Sequence, residues 1–307
     1  MKGICFIKRV FSLLIITTLL FTLCACKKDT GNWDSGSIYT YDVYNSDGVP
    51  SNIMLYNSGC SYDLAGDGTL TFSYKNGKSA TFPVKIPKLY TEQRNFYFVY
   101  ISVHKTSVAY FDEHNKLKIT YSEDMGKTWV DAQSISPQQL TEDFPAKVNI
   151  NLFSLAWMGF TSEYDGWIIF GSEVRLGSQW HALYTTKDGG KTWEYVKSNM
   201  NEVWSRVMTG ANFLDKNIGF ICFRTDNHPI TVFGTTDGGK TWAMMPLDMP
   251  SKYSLRSYPQ SPYFVNGKGY LPIYLYSDDT LIYFISNDGG KTWEYDPTMD
   301  KNISKSP

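Results

Sequence analysis

Short runs of β-branched and aromatic residues alternate with turn residues along most of this chain. Residues 166–170, 219–223, 281–285 and 293–295 are such runs, and turn signals return about every eight to twelve residues. That rhythm, with tyrosine abundant throughout, predicts an all-β protein of short strands. One segment departs from it. Ser136-Pro137-Gln-Gln-Leu140-Thr-Glu142 has a capping serine and then proline at the first helical position, which predicts a single helical turn.

The turns carry a repeat. Ser122-Glu-Asp124-Met-Gly126-Lys-Thr128-Trp129, Thr186-Lys-Asp188-Gly-Gly190-Lys-Thr192-Trp193, Thr235-Thr-Asp237-Gly-Gly239-Lys-Thr241-Trp242 and Ser286-Asn-Asp288-Gly-Gly290-Lys-Thr292-Trp293 are copies of one octapeptide. A carboxylate on a turn accepts bonds from successive backbone N–H groups, the glycine two positions on takes φ > 0, and the threonine hydroxyl closes a further bond. The tryptophan then covers the turn. Such a device joins two strands, so the four aspartates read as scaffold rather than as catalytic groups.

The aspartates stand 64, 49 and 51 residues apart, a period that suits one four-stranded blade. Another 49 residues upstream lies Ser73-Tyr-Lys75-Asn-Gly77-Lys-Ser79-Ala80, a degenerate copy that lacks the aspartate and the tryptophan. A second motif keeps phase with the first. Gly166-Trp167, Gly219-Phe220 and Gly269-Tyr270 each open an apolar strand 17 to 21 residues before an aspartate, after Phe160, Phe213 and Phe264. In the fourth repeat the expected strands are 206–213, 218–223, 230–234 and 242–245. Five blades follow, with six as the alternative, and a strand over 37–44 is expected to complete the last blade and close the ring.

The octapeptide resembles the Asp-box, SxDxGxTW. With the Gly-aromatic strand and the period, the chain is similar to Asp-box (BNR-repeat) β-propellers related to photosystem II assembly and stability factors and, less closely, to sialidases. The resemblance covers nearly all of the chain beyond its first segment. It implies a β-propeller of four-stranded antiparallel blades, and because such propellers serve as enzymes, receptors and assembly scaffolds it implies no single activity.

The first segment concerns location. Lys2, Lys8 and Arg9 precede an apolar stretch over 10–23, and Leu23-Cys24-Ala25-Cys26 follows; this tetrad resembles a bacterial lipobox. The expected division is a signal peptide over 1–25, a lipidated Cys26 with a polar linker to residue 36, and one propeller over 37–307, tethered to a membrane of the cell envelope. Without residues 1–25, the 29 Lys+Arg fall to 26 against 30 Asp+Glu, a balance that offers no grip on nucleic acid. Cys60 and Cys222 fall in distant repeats and read as two buried thiols, with a bridge as the alternative. The four histidines are scattered, so neither a metal site nor a cofactor is expected, and the ring reads as a monomer.

Function is sought at the loops. In a meander the second-to-third loops and the inter-blade loops leave one end of the blades and the boxes the other. The loop end carries Glu113-His114, Arg175, Trp180, Arg224, Asp226, His228 and Asp278-Asp279, together with Glu202, Trp204, Arg206, Tyr253, Arg256 and Tyr258. Of five arginines beyond the signal peptide, four are here. Guanidinium groups beside Trp and Tyr suit an anionic protein segment or glycan, bound without catalysis. Two alternatives stand: a sialidase-type glycoside hydrolase, with Glu202 paired to Tyr253 or Tyr258, and an assembly factor for a membrane complex. Against the former, the Arg-Ile-Pro signature of sialidases has Lys85-Ile86-Pro87 as its nearest match, and lysine lacks the planar bidentate fork.

Overall fold

Every strand pair among the described residues is antiparallel, and within each sheet nearly every strand bonds the next one in the chain. The computed structural model describes residues 59–89, 94–95, 97–114, 116–143, 155–172, 174, 176–225, 230–253 and 256–302. Cys26, the linker, the strand expected over 37–44, Arg175, Asp226 and His228 lie outside that set.

Five sheets of three or more strands succeed one another. The first holds Ser61–Leu64, Leu70–Ser73 and Ser79–Thr81, and the second Tyr97–Ile101, Thr106–Phe111, Leu117–Ser122 and Val130–Asp131. The third is Leu155–Phe160, Gly166–Gly171, His181–Thr186 and Glu194–Tyr195; the fourth is Met208–Phe213, Gly219–Phe223, Thr231–Thr235 and Ala243–Met244. These last four lie within two residues of their expected bounds. In the fifth, Ser257–Pro259 and Tyr263–Val265 share the inner position, followed by Lys268–Leu275, Thr280–Ser286 and Glu294–Tyr295. The fifth blade thus fills its four positions from its own repeat, and Lys301–Asn302 adds to Thr280–Ser286.

The blades pack face to face, which explains why their strands read as continuous apolar runs rather than as alternating ones. In Gly166–Gly171, Ile168 and Phe170 enter a core shared with the second blade, while Trp167 and Ile169 enter one shared with the fourth. Two further cores join the first blade to the second and the fourth to the fifth. This is a β-propeller of antiparallel four-stranded blades.

The predicted helical turn is a seven-residue helix, Pro137–Asp143. Ser136 Oγ accepts the Gln139 N–H at 3.0 Å, Leu140 enters the core between the second and third blades, and Asp143 accepts the Tyr184 hydroxyl at 2.6 Å. Cys60 and Cys222 are both buried and are not bridged to each other. The degenerate first copy forms a hairpin turn with Gly77 at φ 78°, in which Asn76 Oδ1 accepts the Lys78 N–H at 3.2 Å.

Candidate functional site

The four boxes are one structure repeated. The leading Ser or Thr hydroxyl donates to the aspartate at 2.8 Å in every copy and accepts the N–H of Gly126, Gly190, Gly239 or Gly290 at 2.8, 2.9, 3.0 and 2.8 Å. The closing threonine gives its N–H to one carboxylate oxygen and its hydroxyl to the other, the latter at 2.7, 2.7, 2.6 and 2.6 Å. Bonds from Thr128 hold the Asp124 carboxyl down at about 2, and those from Thr292 hold Asp288 well below the usual carboxylate range. For Asp188 and Asp237 burial pushes the other way, and the bonds from Thr192 and Thr241 outweigh it. Every carboxylate is consumed by its own turn.

The boxes also join blades, a role that local pattern did not reveal. A Cβ on Gly239 would meet Leu183 of the preceding blade at 2.3 Å, and one on Gly290 would meet Phe220 at 2.2 Å. Lys105, on the first turn of the second blade and 1 % exposed, donates to the Gly189 carbonyl at 2.6 Å, pairs with Glu123 at 3.0 Å and lies over the Phe160 ring.

At the opposite end the loops meet one another. Ser178 bridges to Arg206 and Thr225 to Ser257, and Arg224 N–H bonds the Val207 carbonyl at 2.9 Å. Two of the four loop arginines join a tyrosine cluster. The Arg224 guanidinium lies 5.6 Å from the Tyr258 ring centre, Tyr258 lies beside Tyr276 at 6.2 Å, and Arg256 stands 4.2 Å from the centre of Tyr276. Tyr274 flanks Tyr258 and donates its hydroxyl to Asp279 at 3.0 Å; burial first, and then that bond, push its hydroxyl up to about 12. Tyr276 and Tyr274 were not foreseen as partners. Their only sequence signal is a place near the end of a long strand.

The remaining candidates are dispersed. Arg206 is exposed beside Gly177, and Glu202 is exposed on the short helix Met200–Val203. Trp180 packs against the core of the second and third blades, and Trp204 against that of the third and fourth, 6.3 Å from Phe233. Glu113 and His114 are exposed and lie 3.6 Å apart. The pairing of Tyr253 with Glu202 is corrected: the Tyr253 hydroxyl donates to Asp300, which also accepts from Tyr295 at 2.6 Å. Lys85 of the Lys-Ile-Pro segment pairs with Asp67 at 2.6 Å. Among the described residues no cluster of His, Cys, Asp and Glu could hold a metal ion.

The BNR repeat-like domain model matches residues 75–305, three quarters of the chain. The chain belongs to the BNR repeat-like domain family. No curated protein matches it significantly. Among solved structures it is similar to the NanB sialidase from Streptococcus pneumoniae, at 17% identity and a TM-score of 0.39, over 68% of this chain and 32% of that one. It therefore spans about a third of that sialidase. It is also similar to the Malassezia sympodialis allergen Mala s 1, at 10% identity and a TM-score of 0.44 over 88% and 79% of the two chains. The fucose-recognising lectin of Aleuria aurantia, a six-bladed propeller, follows at 13% and 0.43 over 80% and 77%. At such identities and scores these likenesses say nothing of activity.

One buried network supports the loop end of this BNR repeat-like propeller. Gln179 donates to the Ser172 carbonyl at 3.1 Å, and its side-chain oxygen accepts both the Met208 N–H at 3.0 Å and His181 Nε2 at 3.1 Å. Asn201 bonds the His181 backbone on both sides, at 2.8 and 2.7 Å. Burial pushes the His181 imidazole down to about 3, so it is neutral at physiological pH.

Proposed function

We propose that this chain is a non-catalytic β-propeller of the bacterial cell envelope, lipid-anchored through Cys26, that binds an anionic protein segment or glycan through its loop face. The supporting observation is the cluster of Arg224, Tyr258, Tyr276 and Arg256. A guanidinium seated on an aromatic ring is held in place by its face while its in-plane N–H groups remain the edge that recognises carboxylates. Tyr276, half-buried, adds flat apolar surface of the kind that sugar rings and peptide side chains cover, while Tyr258 and Tyr274 are buried and hold the cluster in place. For the anchor and the location, the support is the arrangement of residues 2–26 alone.

The test is a titration of the full chain in detergent with an acidic peptide and, separately, with a uronate-containing oligosaccharide. Binding of either, weakened about tenfold or more by Arg224→Ala and by Arg256→Ala and falling with salt, supports the reading. Affinity for both probes that neither substitution alters would end it. Release of sugar by the unaltered chain, abolished by Arg224→Ala, would replace binding with glycoside hydrolysis.

A further inference from the structure

The first and fifth blades end the series with unlike faces. In the first, Ser61 and Asp63 stand across from Ser73 and Thr71, which in turn stand across from Ser79 and Thr81, so one side of that sheet is made of hydroxyls and a carboxylate. All but the half-buried Thr71 are exposed. Leu70 and Phe72, on the alternate positions, enter the core shared with the second blade.

In the fifth blade both sides are apolar. Leu271, Ile273, Leu275, Ile282 and Phe284 enter the core shared with the fourth blade, while Tyr274, Leu281 and Tyr283, on alternate positions of the same two strands, form a separate cluster with Tyr258. Tyr274, Leu281 and Tyr283 are only 3%, 3% and 4% exposed. The half-buried apolar residues packed on this cluster are Tyr263, Tyr276 and Met299, all from the same blade or the short helix that follows it. Rings standing on one side of a sheet lose their water only beneath a second layer. The hydroxyl side of the first blade is not that layer, since it keeps its own exposure.

The chain outside the described residues supplies one. Residues 37–44, Ser-Ile-Tyr-Thr-Tyr-Asp-Val-Tyr, and 52–56, Asn-Ile-Met-Leu-Tyr, are two runs of β-forming residues with Asp47-Gly48 and Pro50 between them. By contrast, 303–307 has only five residues, and 144–154 connects the helix Pro137–Asp143 to the third blade. We propose that residues 37–56 fold as a β-hairpin laid flat on the tyrosine side of the fifth blade, as a sixth sheet. The fifth blade already fills its four positions, so it offers this segment a face and not an edge. Within 37–44 the alternate positions Tyr39, Tyr41 and Val43 make the uniformly apolar side, and that side docks. Tyr258 and Tyr276 belong both to the covered cluster and to the arginine–tyrosine group of the loop end. The segment that follows the linker therefore also props that group, whether or not the group binds a ligand.

The test is hydrogen exchange and tyrosine nitration of the full chain in detergent, read by peptide mass spectrometry. Amides of 37–44 and 52–56 exchange at least about tenfold more slowly than in an unfolded chain, and Tyr283 is nitrated far more slowly than Tyr164, which is 57% exposed. Tyr41→Asp, and from the other side Tyr283→Ser, each speed exchange over 37–56 by about tenfold or more and leave the box of the third blade unchanged; in Tyr41→Asp, Tyr283 becomes reactive. Thr40→Asp, on the opposite side of the strand, does neither. Unprotected exchange over 37–56 in the unaltered chain would overturn the proposal, as would protection that survives both substitutions. A Tyr283 that stays shielded while 37–56 exchanges freely would assign the cover to another segment. A native mass of twice the chain, with shielding lost on dilution, would put a second copy on the face instead.

Discussion

Phe213 and Gly219 are cross-strand partners in the fourth blade, and the ring occupies the place of the missing side chain: a Cβ on Gly219 would lie 2.6 Å from two of its carbons. The same holds for Phe160 with Gly166 and Phe264 with Gly269. Each ring also meets the box tryptophan of its blade, Phe213 facing Trp242 at 5.9 Å. The two sequence motifs keep phase because one phenylalanine touches both.

Gly219→Ala therefore destabilises the chain by about 2–3 kcal/mol, since the ring has no free space to enter. Gly267→Ala, at φ 80° with nothing within 4 Å, carries only the backbone penalty of about 1 kcal/mol. Urea unfolding of both variants checks the contrast. Equal losses would remove the packing explanation.

Lys105→Met retains the buried stem but leaves the Gly189 carbonyl without its ammonium donor. A loss of about 2–3 kcal/mol is expected, and because the contact joins two blades, hydrogen exchange should quicken in both the turn at 102–105 and the box of the third blade. Faster exchange in one alone would contradict a joining role.

Asp188→Ala removes the acceptor of three bonds in the box of the third blade and costs about 1–2 kcal/mol. Loop-face binding should be unaffected, as the box lies at the other end of the blade. A binding defect without a stability defect would reverse that assignment.

His181 makes stability depend on pH. Its folded value, about 3, lies below the ordinary 6.5, so the unfolded chain takes up a proton that the folded chain refuses. Stability is complete above pH 6.5 and declines as pH falls toward 3, by about 2 kcal/mol between pH 7.5 and 5. His181→Gln should flatten that interval in denaturant titrations. The Asp124 carboxyl, lowered from 3.8 to about 2, adds a further loss between pH 4 and 2, which the substitution leaves in place.

Cys26→Ser should abolish incorporation of labelled fatty acid and move the protein from the membrane fraction to the soluble one. Continued membrane association of that variant without label would point to an uncleaved anchor over residues 10–23.

The strands of the fourth repeat were legible to within two residues because each is bounded by a turn with its own chemistry. The helix at Pro137–Asp143 ran longer than the expected single turn, as Leu140 and Asp143 gain contacts with the third blade that its capping serine does not announce. Among the loop residues, Arg224, Arg256 and Tyr258 assemble, whereas Trp180 and Trp204 are drawn into blade cores. Residue type did not separate these groups, since an aromatic ring in a loop suits a core and a ligand equally well.

The amino-acid order alone determined the hairpins, their number per repeat and the paired carboxylate turns, because those bonds close within eight residues. Tertiary structure decided which side chains from different blades meet: Lys105 with a carbonyl 84 residues away, and Arg224 with Tyr258. Such meetings depend on how one twisted sheet is set against the next, and no short-range pattern encodes that offset.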